Sequence, residues 1–128
     1  TPHPGEFRRL VGESKNSWER INRQRKLASK YNLIVLLKGA FSTIAMPSGK
    51  LYFNSTGNSG MATAGSGDTL TGIILGLLAQ RLSPENAVVA AVYLHGRAGD
   101  LAAAKKSEPA LIAGDLTDFL GDVFLELK

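Results

Sequence analysis

The chain has 128 residues, 44% of them hydrophobic, which is enough for one domain with a buried core. It has no cysteine, which excludes disulfides and thiolate metal sites and fits a reducing, cytoplasmic setting. Apolar stretches such as Ala87 to Leu94 are too short to span a bilayer. Net charge is +4, and the first thirty residues hold eight Lys or Arg against three Asp or Glu, so the positive excess lies there.

Thr1-Pro2-His3-Pro4-Gly5-Glu6 reads as a loop, because a helix does not run through its prolines and each pushes the residue before it extended. No strand precedes this loop, and the expectation is of a piece from the middle of a longer domain. Ser17 is placed to cap a helix running to about Tyr31, with Trp18, Ile21, Leu27 or Ala28, and Tyr31 on its apolar side. The same helix carries Arg20, Arg23, Arg25, Lys26 and Lys30. That block is read as a solvated face in preference to a nucleic-acid surface.

Leu33-Ile34-Val35-Leu36-Leu37 is a continuous apolar run, as in a strand of a parallel sheet buried on both faces. Thr43 to Met46 and Leu51 to Phe53 flank Pro47-Ser48-Gly49-Lys50, a hairpin pattern. A stretch rich in Gly, Asn, Ser and Thr runs from Asn54 to Asp68. Helical patterning follows over Thr69 to Gln80, then from the Ser83-Pro84-Glu85 start signal to about Lys105, and last from about Asp115 to Leu127. Strands, a glycine-rich loop and then helices predict an α/β layered fold.

The segment Gly57-Asn58-Ser59-Gly60-Met61-Ala62-Thr63-Ala64-Gly65-Ser66-Gly67-Asp68-Thr69-Leu70-Thr71-Gly72 carries the chemistry. Its glycines let a ligand approach the backbone, and a helix starting just after Gly67 points free amides and a positive dipole end at the loop. Such a place binds phosphate. Asp68, in the first helical turn, can take a proton from a hydroxyl attacking phosphorus. A P-loop is excluded, since Gly65 is followed by Ser66-Gly67 with no lysine, and the G-x-G-x-x-G fingerprint is excluded because Leu70 stands at its third glycine. The competing reading is a plain turn with Asp68 as a helix cap.

This segment resembles the signature G-N-P-G-M-A-T-G-G-S-G-D-V-L-x-G of the ADP- or ATP-dependent NAD(P)H-hydrate dehydratases, a branch of the ribokinase-like superfamily. The chain departs from it with Ser59 for proline, Ala64 for glycine and Thr69 for valine. Thr1 to Phe7, Leu37-Lys38-Gly39-Ala40 and Tyr93-Leu94-His95-Gly96-Arg97-Ala98-Gly99-Asp100 match further family segments in order. The resemblance implies a ribokinase-like layered α/β sheet, here the carboxyl-terminal part of one domain over residues 1–128, an incomplete fragment that is inactive alone. It implies Asp68 as the base at the substrate hydroxyl and His3 as a contact of the hydrated cofactor. Lys38, Gly39, Ala40, Phe41, Ser42 and Gly67 would hold the nucleotide, with Asn58, Gly60, Thr63 and Gly65 supporting the loop. The implied reaction is phosphorylation of the ring hydroxyl of NADHX or NADPHX by ADP or ATP, with Mg2+ accompanying the nucleotide and no metal held by the protein. Phosphate is then lost. An upstream fusion to an epimerase domain is a further implication, and a homo-oligomer is left open. The alternatives are a small-molecule kinase of the same superfamily and a non-catalytic nucleotide-binding module. His95 and Asp100 are expected to be structural, the latter as a packing or capping partner, and Asp115 to cap the last helix.

Overall fold

A helix forms where the proline-bounded opening suggested a loop. In the computed structural model, which describes residues 1–128, α1 spans Pro4–Val11 with Pro4 at its first position. Proline is tolerated there because that N–H has no helical partner to lose. The chain divides into two compact units, Thr1–Asn54 and Ser55–Lys128.

In the first unit α2 spans Ser17–Tyr31, and its cap is Asn16, one residue earlier than expected, whose Oδ1 accepts from Glu19 N at 2.8 Å. The inward stripe also differs from the expected one. Trp18 and Tyr31 are 70% and 56% exposed, whereas Gln24 and Ala28 are buried. Asn32 closes the helix in the left-handed region (φ 53°), and Leu33 N donates to Ala28 O. The first part of the apolar run is therefore spent on ending α2, and β1 is only Val35–Leu37.

All three β1 residues are buried, but their strand partner is antiparallel, and no parallel pair occurs in the chain. β2 (Thr43–Ala45) lies between β1 and β3 (Leu51–Phe53), in the order β1-β2-β3. Val35 faces Ala45, and Ala45 faces Leu51. The expected hairpin is present, with Gly49 at φ 88° turning the chain. Phe7, Ala28, Val35, Leu37 and Ala45 form a core flanked by Val11, Leu27 and Leu51. Burial of such side chains contributes on the order of 1.5–3 kcal/mol each. Gln24 crosses this core, its Nε2 donating to Val35 O and Thr43 O, both at 2.8 Å, and its Oε1 accepting from Thr43 Oγ1 at 2.7 Å.

The second unit is helical. α3 spans Ser66–Ala79 and α4 spans Pro84–Lys106, the latter capped by Ser83 as its start signal predicts. The expected final helix is divided at Phe119 into α5 (Ala113–Asp118) and α6 (Leu120–Glu126). α4 is the central element, touching α3, α5 and α6. Its buried side is made of small and aliphatic residues, among them Ala87, Ala91, Leu94, Ala98 and Ala102, which allows close packing.

Candidate functional site

The glycine-rich segment lies in the second unit and is laid along α4. Thr56 Oγ1 donates to Tyr93 O at 3.2 Å. At Gly57, φ is 104°, a backbone angle that favours glycine. The Gly57 N–H donates to Asp100 Oδ2 at 3.0 Å, and Asn58 Nδ2 donates to Asp100 Oδ1 at 3.1 Å. Asn58 Oδ1 in turn accepts from Gly60 N at 3.1 Å, opening a 3-10 turn over Ser59–Met61. Ser59 Oγ donates to Glu108 Oε2, and Gly60 passes so close to Glu108 that a Cβ there would lie 2.4 Å from its carbonyl oxygen.

The far end of the segment turns at Gly65, with φ 86°. Ala64, which replaces a family glycine, has no positive φ, so that departure leaves the turn intact. Ser66 N donates to Thr63 O at 3.3 Å, and α3 starts at Ser66, two residues earlier than a start after Gly67. Gly65 is the cap residue and, having no side chain, gives the first-turn amides no cap. Those amides and the positive helix end face the loop, which suits an anion. Asp68 is the third residue of the helix, exposed, beside that turn. From beneath, His95 Nε2 donates to Ser66 O at 3.0 Å, which places the ring proton on Nε2.

In the first unit, His3 caps α1. Its Nδ1 accepts from Gly5 N at 3.0 Å and Glu6 N at 3.3 Å, while its own backbone N–H donates to Glu6 Oε2 at 2.7 Å. That last bond is the main cause holding the Glu6 carboxyl below its usual range, with the charges of His3, Lys38 and Arg9 adding to it. Lys38 N donates to Pro2 O at 3.0 Å, so the His3 segment and the end of β1 are neighbours. Gly39 and Ala40 lie in the exposed β1–β2 turn, where Ser42 Oγ donates to Gly39 O at 3.3 Å and Phe41 is 72% exposed.

The profile of the NAD(P)H-hydrate dehydratase family matches residues 1–120. The chain belongs to this family. Among its relatives is a bifunctional NAD(P)H-hydrate repair enzyme of Moorella thermoacetica, 51% identical over 130 residues, a match covering 100% of this chain and 24% of that protein. An ADP-dependent (S)-NAD(P)H-hydrate dehydratase of Bacillus subtilis is 41% identical over 126 residues, covering 97% of this chain and 46% of the relative. The crystal structure of the B. subtilis ADP/ATP-dependent dehydratase, co-crystallised with ATP/Mg2+, superposes with a TM-score of 0.91 at 40% identity, over 99% of this chain and 47% of that one. A ribokinase-like superfamily protein of Enterococcus faecalis follows at a TM-score of 0.79 and 33% identity, over 98% of this chain and 43% of that one. The fold is therefore ribokinase-like, and the chain spans between a quarter and a half of the length of these relatives.

Within the family pattern, sequence reasoning placed Asn58, Gly60, Thr63, Gly65, Gly67 and Asp68 on one loop and one helix start, and the structure brings them together there. It missed the supports. Asp100 is a capping partner as expected, but of the loop's opening and not of a helix. His95, expected to be structural, is buried against the loop's far end. The signal available for both was their spacing with Gly96 and Gly99, which leaves one side of α4 without side chains.

Proposed function

We propose that this chain serves the nucleotide-dependent dehydration of hydrated NADH and NADPH, as the carboxyl-terminal part of one ribokinase-like domain over residues 1–128. The observation that carries the reading is the turn Gly65–Asp68, where uncapped helix amides and a carboxylate share one helical turn. In this account the Gly67 amide donates to a phosphate oxygen. The Asp68 carboxylate accepts the proton of the ring hydroxyl as its oxygen forms a bond to the terminal phosphorus of ADP or ATP, and the bond to the nucleotide's leaving phosphate breaks. The hydroxyl is thereby made a good leaving group. The lone pair of the ring nitrogen then expels phosphate to leave a ring iminium ion, and loss of a proton from the adjacent ring carbon to solvent restores the dihydronicotinamide.

Lys38 to Ser42 are assigned to the adenine nucleotide and His3 to the hydrate. Nδ1 of His3 is occupied as an acceptor, which leaves Nε2 as its donor, 3.4 Å from Glu6 Oε1. The residues present suit a nucleotide phosphate, and magnesium would come with that phosphate. The B. subtilis relative, described as ADP-dependent and crystallised with ATP/Mg2+, supports either nucleotide. The bifunctional relatives support an epimerase partner domain upstream. A cytoplasmic location belongs to the same reading; no helix is long and apolar enough to cross a membrane.

The test is Gly67→Val. A branched side chain at the second position of α3 obstructs phosphate at the amide, and ADP and ATP affinity should fall by about tenfold or more, the value of one charge-assisted hydrogen bond. Unchanged affinity by calorimetry would show that the loop is not the anion site.

A further inference from the structure

We propose that Asp100 is a positioning residue that sets the conformation of the glycine loop, through a carboxylate–amide lock with Asn58. The side of α4 that receives the loop is bare. A Cβ at Gly96 would lie 2.2 Å from Thr56 Oγ1, and one at Gly99 would lie 2.2 Å from Met61 Sδ. Asp100 follows directly on that side, and both its carboxylate oxygens are engaged, Oδ2 by the Gly57 N–H and Oδ1 by Asn58 Nδ2.

The direction of these bonds gives Asp100 its role. An ionised carboxylate only accepts, so the Asn58 amide has one orientation open to it: Nδ2 toward Asp100 and Oδ1 away. Turned that way, Oδ1 meets the Gly60 N–H at 3.1 Å and fixes the 3-10 turn. A negative charge on α4 is thus relayed through one side-chain amide into the backbone of the loop. A second consequence concerns the ligand and rests on the phosphate reading above. The Gly57 and Gly60 amides are consumed internally, and a carboxylate lies at the loop's opening. The carboxylate disfavours an anion at the loop's opening, so Asp100 biases phosphate toward the far end, at the Gly67 amide in the first turn of α3.

The lock can be inverted, which separates it from mere packing. Asp100→Asn alone sets an amide nitrogen against the Asn58 amide nitrogen, and Asn58→Asp alone sets two carboxylates face to face. The double variant Asn58→Asp with Asp100→Asn restores every bond with the polarity reversed. The amide now on α4 would accept from Gly57 N through its oxygen and donate through its nitrogen to the carboxylate now in the loop. That carboxylate would in turn accept from Gly60 N. Amide hydrogen exchange at Gly57 and Gly60 is the primary measurement, made on the protein as encoded, without ligand. Each single change should speed exchange about tenfold, the value of one hydrogen bond, and the double variant should return it to within about threefold of the original. Melting midpoints run alongside, and both single changes are near-isosteric, so folding is retained. Exchange unchanged in Asp100→Asn, or a double variant as fast as the two single effects combined, would overturn the proposal. ADP affinity is measured on the same proteins and should follow the exchange data. An unaltered chain with protected Gly57 and Gly60 amides but no affinity for ADP would count against the nucleotide reading alone, while the exchange data still decide the role of Asp100.

Discussion

Gln24 is a polar residue at the centre of an apolar core, and its three hydrogen bonds tie α2 to β1 and β2. Gln24→Leu keeps the volume but leaves two buried carbonyls and the Thr43 hydroxyl without their partner. The expected cost is about 2–4 kcal/mol, read as a lowered denaturation midpoint. Helical spacing in the sequence assigned the apolar side of α2 to Trp18 and Tyr31, and a glutamine facing inward had no signal of its own, because only the position of the two strands makes it useful. Asp115 is a second buried polar group. Its carboxylate accepts from Lys106 Nζ and, at 3.0 Å, from Ile112 N, and these bonds, Lys106 first, hold its pKa below the ordinary 3.8. The expectation that it caps the last helix is met only in part: the cap residue is Ile112, and Asp115 accepts that residue's N–H from the third position of α5, while α6 begins after Phe119. A depressed folded value means a contribution to stability that is present above pH 3.8 and is lost as pH falls through the lower folded value. Asp115→Asn should therefore lower stability at neutral pH and flatten the acid limb of the stability curve. An acid limb identical to that of the unaltered chain would refute the assignment.

At the scale of elements, α4 and the loop on it are fitted to each other by glycines, and this can be tested by sign. Alanine in place of a helix-interior glycine ordinarily stabilises by about 0.5–1 kcal/mol. Gly72 in α3 has open space around its missing Cβ, so Gly72→Ala should raise the melting midpoint. At Gly96 the new methyl would meet the Thr56 backbone at 2.8 Å as well as its hydroxyl, and Gly96→Ala should lower the midpoint, through an overpacking cost of about 1–3 kcal/mol in stability. Equal signs at the two positions would contradict the fit. The order of elements was legible in the sequence: α2, the hairpin, the loop, α3 and α4 follow one another as predicted, although α2 is capped by Asn16 and buries a different side and α3 starts earlier, at Ser66. The loop's turns were legible because Gly57 and Gly65 carry the positive φ values that glycine favours, and Asp68 stands in the first turn of α3. What was not legible follows from competition between signals. Pro4 reads as a helix breaker until it is seen at the first position of α1, where it breaks nothing. Leu33 belongs to an apolar run, yet its N–H is needed to close α2. The antiparallel pairing of β1 depends on the turn from Lys38 to Ser42, and an apolar run alone does not encode direction.

At the scale of the molecule, the relatives carry about as much chain again or more, and the 128 residues hold the glycine loop, Asp68 and the β1 turn. The expectation is that this chain in isolation binds adenine nucleotide weakly and does not dehydrate NADHX, since a nucleophile without the rest of its pocket loses positioning that supplies much of the rate. Isolated-chain turnover equal to that of a longer protein would refute it. The positive charge of α2 is a solvated face in this account, and DNA or RNA binding at physiological salt should be absent. The central claim, that Asp68 is the base in a nucleotide-dependent dehydration, is tested most directly by following recovery of dihydronicotinamide absorbance from NADHX with ADP or ATP. The comparison is Asp68→Asn against the unaltered residue, in the protein as encoded. Asp68→Asn should keep its fold and its nucleotide affinity while the rate falls by about 10²–10⁴-fold. A near-normal rate in Asp68→Asn would contradict the account.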